Sequence, residues 1–454
     1  MQNALITQLA LSVLLVSFGC YADNTIQYQY KVGAEVKRDP EIVNSDQEKE
    51  DGGYVELGVR VYGNIDEDWH YYSDVRAFAA NSQIRTFDNN DTGRTTQTSD
   101  TDNYLHLRQL WFSFSGLSQY PNEALSIGLQ KVKSSSALWW DTQIESVVWN
   151  VYSTKSHVQV GVGQRFDTYR SNNELSELDK NRTRLFIDSG YDWKAYHTVF
   201  ARFMFTHQDN SNLTSNVETG APDGANGDWL WFGLGLGSNW IDRRSRSPWA
   251  YNVEFISLTG ESDFVGNQGQ TFNDQAIKAW AIDAGIRYDF KQFPFSIGMA
   301  YSQGSGGFDS GESNMFVQTG LHTNRSKFVG NDQSFYRYGE ALRPDLTNLI
   351  YTNIFAAYSF TNGVQVATSF AHLQRDDVMY SIYRNSEPLE MNKTSNDVGY
   401  GGDVAIKHNL KDKQFFIPIN YWQLRLSRFQ PGDAFNSDAD KTVYRVALEM
   451  VGVF

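Results

Sequence analysis

The sequence predicts an all-β fold, a transmembrane antiparallel β-barrel of about 18 strands with long extracellular loops and short periplasmic turns. Three observations carry that reading. Aromatic residues make up 15% of the chain although charged residues make up 20%, and the mean hydropathy is −0.49, which suits sheets with one apolar and one wet face. Segment after segment alternates apolar and polar residues with period two. The connections between those segments alternate long and short, a sorting that a soluble sandwich has no reason to show.

The stretch from Ala4 to Cys20 is mostly apolar and runs into "CYAD", with small residues at Cys20 and Ala22. It reads as a signal peptide over residues 1–22, cleaved after Ala22, with a barrel domain over 23–454. Cys20 is the sole cysteine, so the mature chain is expected to carry neither a disulfide nor a cysteine-bound metal. No run of about 18 apolar residues follows, which excludes a transmembrane helix and leaves the closed barrel as the spanning architecture. A soluble chain of 454 residues would divide into about three domains, yet no Pro-rich, low-complexity or charge-block linker offers a boundary.

The strands follow in order. The first, near 26–37, sets Ile26, Tyr28, Tyr30, Val32, Ala34 and Val36 against Gln27, Gln29, Lys31, Gly33, Glu35 and Lys37. Others are expected near 54–62, 69–79, 104–115, 125–133, 144–154, 157–167, 183–192 and 198–208. Within 104–115, "LHLRQLWFSF" carries apolar residues on both parities, which points to a bulge. Near 229–238, "DWLWFGLGLG" puts Gly233, Gly235 and Gly237 on one face and Leu230, Phe232, Leu234 and Leu236 on the other. Strands near 250–260, 277–290, 295–303, 348–360, 364–374, 398–408, 416–428 and 442–454 complete the set.

The long connections fall at 38–53, 80–103, 134–143, 168–182, 209–228, 261–275, 304–347, 375–397 and 429–441. Their alternation with short turns places both termini on the periplasmic side. In the last strand Tyr444, Val446, Leu448, Met450 and Phe454 share one parity. Its pairing with the first strand would close the barrel, and an alternating strand ending in Phe resembles the signal read by the barrel assembly machinery.

Catalytic chemistry finds little footing. There are eight His and no HExxH, GxSxG or CxxC pattern. Asp88, Asn90 and Gly93 in "DNNDTG" have calcium-loop spacing but lack the Glu twelve residues into the loop. "GSGG" at 304–307 reads as a loop start, and Asp376 with Asp377 as a solvated pair. With the apolar parity facing lipid, the lumen receives Lys31, Lys37, Arg60, Arg76, Arg287, Arg425 and Arg445 among its cations. Glu35, Glu56, Asp74, Asp283, Asp403 and Glu449 join them. The net charge of −14 does not forbid an anion path, because selectivity is set by the lining. The charges alone leave open whether they form such a path or merely pair with one another.

The stretch "LRQLWFSFSGLSQYPNEALSIGLQKVKSSSALWWDTQIESVVWN" (107–150) resembles the alginate export family of outer-membrane proteins. Further matching stretches are "GVGQRFDTYR" (161–170), "YSQGSGG" (301–307), "QTGLHTNRSKF" (318–328), "RYGEALRPDLTNL" (337–349) and "RFQPGDAF" (428–435). The resemblance implies an 18-stranded barrel with a narrow arginine-lined pore that passes a polymer of uronates. On matching positions, Arg108, Arg343 and Arg425 stand where the family has lining arginines. Lys131 replaces another, Arg60 occupies a further one, Lys31 matches a lining lysine and Asp141 keeps an acidic position. Ser334 and Gln423 stand where pore arginines are expected, and Thr168 and Asn172 where their acidic partners are.

The resemblance thus implies an outer-membrane channel passing alginate or a related polyuronate by diffusion. The alternative is a broader porin taking up anionic oligosaccharides. A reading of another class, an outer-membrane enzyme or adhesin, would be revived by any turnover of uronate polymer or phospholipid. No cofactor and no nucleic acid are expected. The expected partners are the anionic polysaccharide, outer-membrane lipids, the assembly machinery and periplasmic export or uptake components. A closed barrel is expected to be a monomer.

Overall fold

The computed structural model describes residues 24–38, 49–81, 103–120, 122–175, 179–208, 227–241, 247–265, 271–309, 312–384, 387–410, 419–435 and 442–454. The signal peptide expected over 1–22 and the loop with Asp88, Asn90 and Gly93 lie outside them. No helix among these residues is long and apolar enough to cross a membrane.

Eighteen strands form the barrel wall. They are β1 (Asn24–Arg38), β2 (Lys49–Asn64), β3 (Trp69–Ala80), β4 (Asn103–Phe114), β5 (Glu123–Lys133) and β6 (Asp141–Tyr152). Then come β7 (Ser156–Gln164), β8 (Arg182–Lys194), β9 (His197–Gln208), β10 (Gly227–Ser238), β11 (Trp249–Val265) and β12 (Thr271–Asp289). The wall is completed by β13 (Phe295–Gly304), β14 (Leu349–Ser359), β15 (Val364–Arg375), β16 (Asp397–Asn409), β17 (Tyr421–Pro431) and β18 (Val443–Val453). Each pairs antiparallel with its chain neighbours, and β18 returns to β1 from Gln29↔Val453 to Arg38↔Tyr444. Tyr28 and Phe454 finish the seam with reciprocal backbone hydrogen bonds of 2.8 and 3.0 Å and stacked rings 5.6 Å apart.

Burial along the strands is the reverse of a soluble protein's. Leu57 and Leu234 are 57% and 51% exposed, whereas Lys31 and Glu449 are 1% and 0% exposed. Apolar side chains therefore form the outer surface and charges fill the lumen, as lipid outside and water inside require. Gly233 and Gly235 hold lumenal positions because large rings occupy the space a side chain would need. A Cβ on Gly233 would sit 2.4 Å from the Trp139 ring.

Two departures from the sequence-based strand map have physical causes. The expected long loop over 261–275 is mostly ladder, because β11 and β12 stay paired to Val265 and Thr271. Backbone pairing beyond the membrane needs no alternation of apolar residues, so the sequence pattern fades there while the hydrogen bonds persist. The connection between β13 and β14 (305–348), where an outer loop was expected over 304–347, is largely buried inside the barrel in its described residues.

That inner connection runs the depth of the lumen. Near the long-loop rim, Phe316, Val317 and Leu321 pack with Trp139, Trp140, Phe186 and Trp231 in one apolar core. Trp231 Nε1 donates to the Val317 carbonyl at 2.7 Å. At the far end Phe328, Val329 and Phe335 pack with Trp240, on the short turn after β10, and with Phe355. Arg287 clamps this end by donating to the carbonyls of Phe328 (2.7 Å), Trp240 (2.9 Å) and Asn239 (2.9 Å). This inner connection, the finger, packs its apolar residues on β8, β10, β12 and β14. It reaches β15, β16 and β17 through polar contacts, Gln333 to Gln365 O (2.7 Å), the Glu340 N–H to Asp403 (3.3 Å) and Glu340 to Arg425.

Candidate pore lining

The bulge expected in "LHLRQLWFSF" falls on Arg108. Asp74 pairs with Gln109 and Val75 with Leu107, so Arg108 is the extra residue of β4. A bulge turns two successive side chains to the same face, and Arg108 is accordingly buried although the Phe112 end of β4 places its own parity against lipid. β4 also leaves β5 here: the two pair only from Leu110 to Phe114. Beyond that point the Leu107 N–H donates to Tyr169 O (3.1 Å) and the Ser171 N–H to Leu105 O (3.0 Å). The segment after β7 thus completes the wall beside Arg108.

Arg108 Nε is buried and makes no hydrogen bond among the described residues. Its neighbours are paired. On one side Arg60 Nε lies 3.3 Å from Asp74, and Arg76 bridges Asp74 (2.9 Å) and Glu56 (2.7 Å). Lys31 reaches Glu56 at 3.6 Å. On the other side Lys131 Nζ lies 2.8 Å from Asp141.

Asp141 ties this wall to the finger. It accepts a hydrogen bond from Thr323 Oγ1 at 3.0 Å, and its own N–H donates to Leu321 O at 2.8 Å. Two residues on, Arg325 reaches Glu340 at 2.8 Å. Arg343 meets the same carboxylate at 3.0 Å, and Arg425 from β17 meets its other oxygen. Three guanidiniums therefore converge on one carboxylate. Burial alone would raise the Glu340 carboxyl, but Arg325, Arg425 and Arg343 hold it well below the usual carboxylate range. Burial and the nearby Arg445 both weigh against the charge on Arg343. Arg445 pairs with Glu35 at 2.6 Å across the seam.

The seven positions singled out in the sequence thus form two groups. Arg343 and Arg425 meet on the finger. Arg60, Lys31, Lys131 and Asp141 are paired along the wall on either side of Arg108. Where arginines were expected, Gln423 donates to Glu449 at 2.8 Å and Ser334 is half-buried on the finger. Thr168 donates to the Asn173 carbonyl at 2.9 Å. Sequence reasoning missed Arg325 and Glu340, although both lie in stretches that carry the resemblance. Glu340 lies off any strand and Arg325 on a two-residue one, too short for parity to give its side chain a direction.

Charges behind the finger are otherwise arranged. Arg202 meets both Glu254 (2.7 Å) and Asp188 (3.2 Å), and Arg337 meets Asp283 (2.8 Å). These buried pairs hold the packed half together, as does Asp179 between Arg165 (2.9 Å) and Arg184 (2.6 Å).

A family model described as alginate export matches residues 23–448. The chain belongs to the alginate export family. Among curated relatives, the alginate production protein AlgE of Pseudomonas aeruginosa is 28% identical over 85% of this chain and 83% of its own length. AlgE of Pseudomonas syringae pv. tomato is 26% identical over 94% of this chain and 93% of its own. Among solved structures, Pseudomonas aeruginosa OccK9 (OpdG) superposes with a TM-score of 0.57 at 11% identity, covering 95% of this chain and 98% of that one. That likeness bears on the fold. Membership of the alginate export family, the closed barrel and the reversed burial place the protein in the outer membrane.

Proposed function

We propose that this member of the alginate export family passes an anionic polysaccharide, alginate or a related polyuronate, across the outer membrane by diffusion. The path runs between the finger and the seam strands, lined by Arg108, Arg343 and Arg425 with Arg60, Lys31 and the Lys131–Asp141 pair. The observation that carries the reading is the local surplus of cations. Arg108 has no anionic partner within hydrogen-bonding reach among the described residues, and three guanidiniums share Glu340. Each uronate offers one carboxylate, and a guanidinium offers it a forked, charge-assisted partner. Spaced sites that attract without trapping let a polymer advance by exchange.

The test is single-channel current in a planar bilayer with alginate oligomers titrated in and malto-oligomers of equal length as control. Block by the charged sugar alone, weakened in R108A with R425A, is expected. Equal block by both sugars, or a pore indifferent to the substitutions, would overturn the reading. A broader uptake porin for anionic oligosaccharides is the second reading, favoured by Ser334, Gln423 and Lys131 in place of arginines. It predicts comparable block by alginate and by unrelated acidic oligosaccharides.

A further inference from the structure

The carboxylate at the centre of the finger's arginine set is supplied by the chain itself. Both Glu340 oxygens are engaged: one faces Arg325 and Arg343, the other Arg425 and the Tyr336 N–H at 3.0 Å. The donors nevertheless exceed what it accepts. Arg325 Nη1 and Arg343 Nε are buried and make no hydrogen bond among the described residues. On the packed side Arg202 is set between two carboxylates, and Asp179 there is shared by two arginines, Arg165 and Arg184. A fork-shaped donor set around a carboxylate is what an incoming uronate would need, and here a side chain of the finger already stands in it.

We propose that Glu340 is a resident competitor in a carboxylate-binding site, and that it sets the pore's anion selectivity by giving way to passing carboxylates. The inference rests on the anion path proposed above and adds the residue that tunes it. A bound glutamate holds the guanidiniums in register while offsetting part of their charge. A uronate carboxylate then replaces one carboxylate by another, so each site is entered and left by exchange rather than by opening a bare cationic trap. The two unfilled donors give the incoming group a first foothold beside Glu340.

The experiment compares wild type with E340Q and E340D in a planar bilayer, after gel mobility with and without heating has shown each barrel to be folded. In E340Q the reversal potential in a KCl gradient should move toward the anion side. The block constant for a uronate oligomer should fall at least about tenfold, the scale of one charge-assisted hydrogen bond. E340D should stay near wild type, and block by maltohexaose should not change. A folded E340Q with unchanged reversal potential and block, or with weaker block, would overturn the proposal and make Glu340 a structural staple. The reversal potential is read without sugar. It therefore judges Glu340 even if the wild-type pore ignores uronates, an outcome that would defeat the proposed function instead. Should E340Q fail to fold, R325Q keeps Glu340 on two arginines. Unchanged block in R325Q would equally overturn the proposal, and block weakened about tenfold would support it.

Discussion

Val75 follows Asp74 directly in β3, yet their partners in β4 are Leu107 and Gln109, so Arg108 stands in the ladder with no residue opposite it. The bulge is a backbone feature, which separates the role of the side chain from that of the extra position. R108A should fold with wild-type heat stability and should weaken uronate block by roughly tenfold, the loss of one charge-assisted contact. Deleting residue 108 should do more. It removes the bulge, reverses the parity of one end of β4 and lowers the yield of folded barrel.

Arg425 joins the barrel wall to the finger. R425A leaves Glu340 with the two arginines of its own segment and breaks a buried pair, a change that costs about 3–5 kcal/mol. Thermal unfolding in detergent should shift down, and current noise should rise as the finger loses its hold on β17. T323V removes a hydroxyl donor to the Asp141 carboxylate and should cost about 1.5–3 kcal/mol.

Acid should release the finger late. The folded Glu340 carboxyl lies well below its ordinary value of 4.5. A depressed carboxyl contributes stability that is present above the ordinary value and is lost as pH falls through the folded one. Conductance and block should therefore be flat in this respect from neutral pH down to about 4.5 and change only in stronger acid. An E340Q barrel should lack that acid transition.

The outer surface gives a test of orientation. Leu234 is half exposed among Phe232, Leu236 and Phe255 on the lipid face. L234R should cost about 2–4 kcal/mol if it lies near the bilayer midplane, measured as the fraction folded in vesicles across a denaturant series. A lumenal arginine added at Gln423, next to Glu449, should cost far less and should strengthen uronate block.

The wall was legible because a membrane strand writes its two solvents into alternating residues. Ile26 to Lys37 and Tyr444 to Met450 show it plainly, and the bulge at Arg108 appeared as a break in the alternation. The interior was not legible. The segment 305–348 reads as an outer loop because Phe316, Phe328 and Tyr338 follow no period. Their burial depends on Trp139, Trp231, Trp240 and Arg287, which are distant in sequence. The meeting of Arg343 with Arg425 required that packing, and with it Glu340 and Arg325.

The finger also constrains the order of assembly. It is anchored in apolar packing at both ends of the lumen, against side chains from β8, β10 and β14 as well as the turn after β10. A sheet already sealed from β1 to β18 would admit that segment only by threading its aromatic residues past a charged lining. The curled, open sheet offers it a sideways approach. Docking of 305–348 ahead of the joining of Tyr28 to Phe454 would spare the chain that passage.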